Sequence, residues 1–109
     1  MENISYEEFK KVEIKIGTVR EAEKIPETDK LLKLQVEFVD GEIRQIVSGI
    51  AEYFSPEELI GKQFPFVYNL EPRIIRGEKS NGMIFGVGGS VGFVPLVPKS
   101  EVPSGSNVG

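Results

Sequence analysis

Apolar and polar residues alternate along several short segments of this chain, and a period of two predicts β-strands. The clearest alternation covers residues 32–38, and a similar one covers residues 12–16. Gly17 interrupts this first strand, and we expect a bulge or a sharp bend there. The dipeptide Asp40-Gly41 is typical of a tight hairpin turn, and residues 43–50 follow it as the partner strand.

Two short helices are predicted from the residues that begin them. Ser5 and Glu8 form the capping-box pattern of a helix start, so we expect an N-terminal helix within residues 1–11. The same pattern recurs at residues 55–58, with proline in the first helical position, and Gly61 ends this second helix. The two helices therefore flank a group of three predicted strands.

Two further strands follow the second helix. Residues 62–70 alternate around Phe64, Phe66 and Tyr68, and residues 81–87 form a fifth apolar segment. The three aromatic rings would suit a stacking platform for single-stranded nucleic acid. They would equally suit a half-buried strand, and we interpret them as core packing of the fourth strand.

The order of these elements predicts an all-β fold. Five strands with a helix between the third and the fourth are the order of the OB-fold, a small Greek-key barrel. An SH3-like barrel or another small β-domain would give a similar order, so order alone does not separate them. We predict a single domain over residues 1–109, with a five-stranded OB-fold barrel over residues 12–88 and an irregular C-terminal extension over residues 89–109.

The composition excludes much of enzyme chemistry. The 109 residues include no cysteine and no histidine, which removes thiol nucleophiles, imidazole bases, disulfides and zinc sites built on the usual ligands. We therefore expect no enzyme activity, no metal and no cofactor. The start of the chain lacks the apolar stretch of a signal peptide and no later run is long enough to span a bilayer, so we expect a cytoplasmic protein without a membrane partner.

The charge distribution is uneven around one motif. The formal net charge is -4, which argues against general nucleic-acid binding, because affinity for phosphates comes mainly from lysine and arginine. Residues 73–79 nevertheless place three bases in a predicted loop before the motif Ser-Asn-Gly-Met, namely Arg73, Arg76 and Lys79. These bases either form ion pairs with Glu71 and Glu78 of the same segment or present a cationic rim to a polyanion.

Three stretches of the chain carry a family resemblance: "RQIVSGI" at residues 44–50, "NLEPR" at residues 69–73 and "SNGM" at residues 80–83. With the segments around them, they resemble the tRNA-binding domain that is appended to many methionyl-tRNA synthetases and also exists as a free-standing homodimer. The resemblance covers nearly the whole chain. It implies an OB-fold that binds tRNA, alone or as an auxiliary to an aminoacyl-tRNA synthetase.

The same superfamily includes CsaA-like export chaperones, which are homodimers on the same barrel and bind unfolded or preprotein segments. The Gly- and Pro-rich tail over residues 86–109 resembles that branch, whereas "RQIVSGI" and "SNGM" resemble the tRNA-binding branch. We therefore expect tRNA binding, with a chaperone function as the alternative.

The resemblance and the usual OB-fold groove together imply a set of RNA-contacting residues. Each of them also has an ordinary structural interpretation, such as a solvated strand face for a lysine or a core position for Met83. The Ser80 hydroxyl is expected to contact the RNA directly. The expected RNA-contacting residues are Lys15, Lys30, Arg44, Arg73, Arg76, Lys79, Ser80, Asn81 and Met83.

An apolar run lies beyond the fifth predicted strand, at residues 93–97. A barrel that is already complete does not need these side chains, and a surplus apolar patch on a small protein indicates a partner surface. With the family resemblance, this run predicts a homodimer whose interface contains Phe93, Val94, Leu96 and Val97.

Overall fold

A curled antiparallel sheet forms the body of the molecule in the computed structural model, which describes residues 1–109 apart from the side chain of Val91. Its strands are, in chain order, β1 (Ile14–Lys24), β2 (Leu32–Glu37), β3 (Ile43–Ser48), β4 (Gln63–Val67), β5 (Arg73–Ile75), β6 (Glu78–Ser80), β7 (Met83–Ile84), β8 (Gly86–Val87), β9 (Val94–Pro95) and β10 (Asn107–Val108). Two one-turn helices, α1 (Tyr6–Phe9) and α2 (Pro56–Leu59), stand before β1 and between β3 and β4.

The sheet curls around the long strand β1. Its strand order is β3-β2-β1-β4-β7, and all neighbours are antiparallel. The two edges approach each other where β6 passes β3, and there the Asn81 N–H donates to the Gln45 carbonyl at 2.8 Å. The prediction of an all-β, OB-fold barrel with a helix between its third and fourth strands is confirmed.

The barrel core is built from residues that alternate along the strands. Leu32, Leu34 and Val36 of β2 are fully buried, and Phe64 and Phe66 of β4 lie in the same cluster. Burial of each such side chain contributes roughly 1.5–3 kcal/mol to folding. The alternation in β2 and the core position of these two phenylalanines are therefore as predicted.

Both helix starts are also as predicted. At α1 the Glu8 N–H donates to the Ser5 hydroxyl at 3.1 Å, and the Ser5 N–H donates back to the Glu8 carboxylate. At α2 the Ser55 N–H donates to Glu58 at 2.9 Å. This reciprocal pairing satisfies backbone donors that one-turn helices would otherwise leave without acceptors.

The irregularity in β1 lies at Arg20, and the prediction of a bulge at Gly17 is wrong. Arg20 is the extra residue where the register between β1 and β2 shifts. Gly17 pairs regularly with Phe64. A Cβ atom on Gly17 would collide with Val36 and lie 2.9 Å from Cε1 of Phe38, so close packing explains the glycine.

The segment before the Ser-Asn-Gly-Met motif is a hairpin, and the prediction of a loop there is wrong. β5 and β6 pair with each other, and Arg76 and Gly77 form the turn between them. Both turn residues have positive φ, 52° and 79°, as a type I′ hairpin turn requires. The predicted fifth strand is in turn divided into β7 and β8 by Phe85.

The C-terminal segment covers the outer face of β1 and β4. β9 pairs with β8 and β10 pairs with β1, so residues 89–109 contain two strands where we expected an irregular extension. The Thr18 and Ser104 hydroxyls lie 2.7 Å apart, and the Gln63 amide donates to the Val102 carbonyl at 2.7 Å. These hydrogen bonds join the segment to the barrel.

Candidate nucleic-acid interface

Four of the six basic residues expected to contact RNA form two groups. Lys15 and Arg44 both contact Tyr68, near the end of the barrel where β1 begins. Lys30 lies in the loop that follows the far end of β1, and Arg76 of the hairpin turn lines the same cleft as Lys30. Because a strand rises about 3.3 Å per residue, the two ends of β1 are roughly 30 Å apart. The two groups therefore lie toward opposite ends of β1.

Lys15 and Arg44 point toward the interior of the barrel. Lys15 stands opposite the fully buried Phe66, and Arg44 stands opposite the fully buried Val36. Only 15% of the Lys15 side chain and 18% of the Arg44 side chain are exposed. The alternative interpretation of a solvated strand face therefore does not fit these two residues, because at the open end of a barrel a long cationic side chain covers the core with its stem.

Tyr68 is the centre of this first group. The Arg44 guanidinium lies 3.6 Å from the centre of the Tyr68 ring and donates to the Tyr68 carbonyl at 2.7 Å. The Lys15 ammonium lies 5.1 Å from the same ring centre and donates to the Asn107 side chain at 2.7 Å. The sequence feature that points to Tyr68 is its position after Phe64 and Phe66 in the alternating pattern of residues 62–70.

Glu42 balances the charge of this group. It accepts hydrogen bonds from the Tyr68 hydroxyl and from Arg44 Nε, the latter at 3.2 Å. The Tyr68 hydrogen bond, followed by that of Arg44, lowers the pKa of Glu42, while burial raises the pKa of Tyr68. The group is internally paired and its two cations are mostly covered, which is typical of side chains that close the end of a barrel.

The hairpin bases lie on different sides of the β5–β6 ribbon. Lys79 stands opposite Ile74 on the outer face, where both side chains are exposed. Arg73 stands opposite Ser80, on the face toward the barrel, but is itself exposed at the base of the hairpin. Arg76 stands at the tip. The three bases therefore surround the ribbon.

The alternative that these bases pair with neighbouring glutamates is not observed. Among the side chains that the structure describes, Arg73, Arg76 and Lys79 form no ion pair within 4.0 Å. Glu78 lies 3.6 Å from the Lys33 ammonium on the barrel side. The charge of the hairpin bases is therefore not neutralised by an ion pair within the described side chains.

A cleft separates the hairpin tip from the loop before β2. Lys30 and Arg76 line its two sides, and Glu27 and Asp29 lie in the same loop. The Thr28 hydroxyl accepts from the backbone N–H groups of Lys30 and its neighbour, each at 3.2 Å, which fixes the loop. The cleft therefore contains two exposed bases, and two nearby carboxylates partly offset their positive charge.

Three of the four residues of the Ser-Asn-Gly-Met motif have a structural role, namely Ser80, Asn81 and Gly82. Ser80 is fully buried: its hydroxyl accepts from the Val47 N–H at 2.9 Å and donates to the Gly82 carbonyl at 3.1 Å. Asn81 is half-buried and joins β3 through its backbone. Met83 is 40% exposed. The prediction that the Ser80 hydroxyl contacts RNA is therefore wrong, because this hydroxyl is not exposed to solvent.

The apolar run of the C-terminal segment is divided between two environments. Phe93 is half-buried and packs edge-to-face on Phe54, and Val94 belongs to β9. Leu96 and Val97 instead line an exposed groove with the apolar residues Ile16, Pro65, Pro98, Val102 and Val108.

Neither a metal cluster nor a membrane helix occurs in the described part of the chain. No three His, Cys, Asp or Glu residues lie together there in a way that could hold a metal ion. None of its helices has the length and apolar character needed to cross a bilayer.

Comparisons with known proteins place this geometry in a family. The family model described as "Putative tRNA binding domain" matches residues 14–107. The methionine–tRNA ligase of Methanospirillum hungatei JF-1 is 50% identical over 105 residues, which are 96% of this chain and 15% of the ligase. That of Porphyromonas gingivalis W83 is 46% identical over 109 residues, which are 98% of this chain and 16% of the ligase. The chain thus spans about a sixth of the length of these relatives.

Two solved structures resemble the chain over its whole length. A MetRS related protein from Pyrococcus horikoshii has a TM-score of 0.92 and 44% identity, and covers 99% of each chain. The chaperone CsaA of Bacillus anthracis has a TM-score of 0.88 and 30% identity, and covers 99% of this chain and 100% of its own. With the match over residues 14–107, the chain belongs to the tRNA-binding domain family.

Proposed function

We propose that this chain binds tRNA, without catalysing a reaction, through the face that carries the β5–β6 hairpin and the loop before β2. The observation that carries the proposal is the cleft in which Lys30 and Arg76 are both exposed, and neither forms an ion pair among the described side chains. Arg73 and Lys79 add two more such bases. Bases of this kind displace counterions from RNA phosphates. Family membership supports the same ligand.

We propose a folded RNA as the ligand, because the three aromatic rings at residues 64–68 do not form a stacking platform for a single strand. Proteins that bind single strands stack successive bases on exposed aromatic rings. Phe64 and Phe66 of β4 are instead buried in the core, and the Tyr68 ring is covered by Arg44. Contacts between hairpin bases and phosphates fix the position of a folded RNA without reading its sequence.

A competition experiment tests this function. Fluorescently labelled bulk tRNA is titrated with the protein, and the complex is challenged with unlabelled tRNA, with a single-stranded RNA of equal length and with an unfolded protein. We expect only the unlabelled tRNA to compete at equal nucleotide concentration. Equal competition by the single strand would contradict recognition of folded RNA, and a lack of tRNA binding at low salt would contradict the function itself.

We also propose that the chain forms a homodimer through the groove of Leu96 and Val97. The groove exposes the apolar side chains of Leu96, Val97 and Val108 on one face, and a second copy that buries them gains about 25 cal/mol for each Å² of apolar area. Phe93 supports the core of its own chain through Phe54. We therefore centre the interface on Leu96 and Val97, with Val94 at its margin.

The proposed physiological partner is a methionyl-tRNA synthetase. The curated relatives are methionine–tRNA ligases, and this chain matches about a sixth of each one. We propose that it is an auxiliary that increases the affinity of such an enzyme for its tRNA. Because aminoacylation takes place in the cytoplasm, the proposal places the chain there.

A chaperone function is the second candidate, favoured by the apolar groove and by the likeness to CsaA. An extended apolar peptide would occupy the groove of Leu96 and Val97, so this function and the dimer interface compete for one surface. Binding of an unfolded protein that Leu96→Lys abolishes, together with unaltered tRNA binding by the hairpin variants, would favour the chaperone.

A further inference from the structure

The β5–β6 hairpin is attached to the barrel mainly through side chains. β5 and β6 pair with each other and form a separate two-stranded sheet. Where β6 passes β3, one backbone hydrogen bond joins the two segments among the described residues, from the Asn81 N–H to the Gln45 carbonyl. The position of the hairpin bases therefore depends on side chains that connect β6 to β2 and β3.

The Gln45 amide is the centre of this connection. Its Nε2 donates to the Lys79 carbonyl at 2.9 Å and to the Glu78 carboxylate at 3.3 Å. Its Oε1 accepts from Gln35 Nε2 at 3.1 Å, which fixes the orientation of the amide. Both protons of the Gln45 amide thus point toward β6, and the hydrogen bond from Gln35 of the neighbouring strand β2 fixes this orientation.

Lys33 holds the same glutamate from a second direction. Its ammonium lies 3.6 Å from the Glu78 carboxylate and 3.1 Å from that of Glu23. The hydrogen bond to Glu23 is the main cause of a raised pKa for Lys33, so it stays charged through the neutral range. Glu78 is therefore kept on the barrel side of the hairpin, away from the bases of the tip.

We propose that Gln45 is a positioning residue for RNA binding. Its amide holds β6 against β3 and keeps Glu78 on the barrel side, so that Arg76 and Lys79 face solvent without a carboxylate partner. In a hairpin released from Gln45, only the ion pair with Lys33 keeps Glu78 on the barrel side, so its carboxylate can approach these two bases more often and offset their charge. This inference rests on the proposed function, because it assumes that the hairpin bases contact RNA.

A double-mutant cycle tests the inference. Gln45→Leu is measured in the parent chain and in the Arg76→Ala/Lys79→Ala background, with tRNA affinity as the readout. We expect Gln45→Leu to weaken binding roughly fivefold in the parent chain, the equivalent of one hydrogen bond, and by less than about twofold in the double variant. An equal reduction in both backgrounds would overturn the inference, since Gln45 would then act without the hairpin bases.

Gln63→Leu is the matched control. The Gln63 amide also bridges two segments, through hydrogen bonds to Thr18 and Val102, but on the side of the barrel covered by the C-terminal segment. We expect any effect of Gln63→Leu on tRNA affinity to be the same in both backgrounds. Coupling of equal size for Gln63 and Gln45 would show that the cycle reports general stability, and would overturn the specific role of Gln45.

Two further readouts keep the test decisive. Gln45→Leu should accelerate hydrogen exchange at Asn81 in the free protein, which the removal of a direct RNA ligand would not do. If Gln45→Leu does not fold, Lys33→Met removes the ion pair of Glu78 while the Gln45 amide stays, and coupling of the same sign is expected. If the Arg76→Ala/Lys79→Ala variant binds tRNA like the parent, the proposed function fails, and that outcome is distinct from additive effects of Gln45.

Discussion

The backbone N–H of Val47 donates a hydrogen bond of 2.9 Å to the Ser80 hydroxyl, and both residues are shielded from solvent. A side chain here supplies the acceptor that a neighbouring strand would normally supply through its backbone. The hydrogen bond joins β3 to the end of β6. Ser80 therefore closes the barrel where regular strand pairing stops.

Ser80→Ala should lower the free energy of unfolding by about 1–3 kcal/mol, because it leaves the buried Val47 N–H without an acceptor. Urea unfolding of the two proteins measures this difference. Ser100→Ala is the control, since Ser100 is exposed, and it should change stability by less than about 0.5 kcal/mol. Equal stability of the Ser80 variant and the parent would contradict the buried hydrogen bond.

Gly17→Ala should destabilise the barrel by about 1–3 kcal/mol, because the added methyl group would collide with Val36 and Phe38 in a packed core. Gly49→Ala makes the same chemical change where a Cβ atom meets no other atom within 4 Å. Thermal unfolding of both variants should show a lower midpoint for Gly17→Ala than for Gly49→Ala. Similar midpoints would mean that the strand is not held close to β2.

Tyr68→Phe should reduce the acid dependence of stability. The pKa of Glu42 is lowered in the folded chain, first by the Tyr68 hydrogen bond. The stabilisation that ionised Glu42 gives to the fold is therefore present above about pH 4.3, the ordinary pKa of glutamate. It is lost as pH falls through the lower pKa of the folded chain. We expect the stability difference between parent and variant to shrink on acidification below about pH 4.3. Tyr53→Phe is the control, because the exposed Tyr53 forms no hydrogen bond through its hydroxyl among the described residues. A constant difference across this range would exclude the Glu42 contribution.

Leu96→Lys should convert the proposed dimer to a monomer, because a charged side chain in an apolar interface is buried without a partner. Light scattering at micromolar concentration reads the mass directly. Ile43→Lys is the control, since Ile43 is also exposed but belongs to β3, away from the groove. A monomeric parent chain would refute the dimer, and a dimeric Leu96 variant would refute this interface.

The elements that follow from local patterns are foreseeable from the sequence. The alternation in β2 and the capping boxes at Ser5 and Ser55 each depend on residues within one turn or one strand, so short-range spacing predicts them. The hairpin around Arg76 does not follow in this way. Its strands are three residues long, too short to display a period, and arginine is not the residue expected at a positive φ.

The candidate site is less foreseeable, because it depends on which face of each strand meets the core. In β1 the apolar residue Ile16 lies on the outer face under the C-terminal segment, and Lys15 lies on the inner face at the barrel end. Local alternation predicts the reverse. Ser80 is likewise polar but buried, because its hydroxyl serves as the acceptor for a backbone N–H that lies 33 residues away in sequence.

The salt dependence of tRNA binding is the sharpest test of whether the hairpin bases contact RNA phosphates. Titrations of the parent, Arg76→Ala and Lys79→Ala are compared over about 50 to 200 mM salt, with Lys62→Ala as a control that removes an exposed lysine outside the hairpin. We expect each hairpin variant to bind more weakly and to flatten the slope of log affinity against log salt by about 0.7–0.9 for each phosphate that it no longer neutralises. Lys62→Ala should leave the slope unchanged. If both hairpin variants keep the affinity and slope of the parent while they remain folded, the hairpin does not contact RNA. The proposed binding of tRNA through this hairpin would then be wrong.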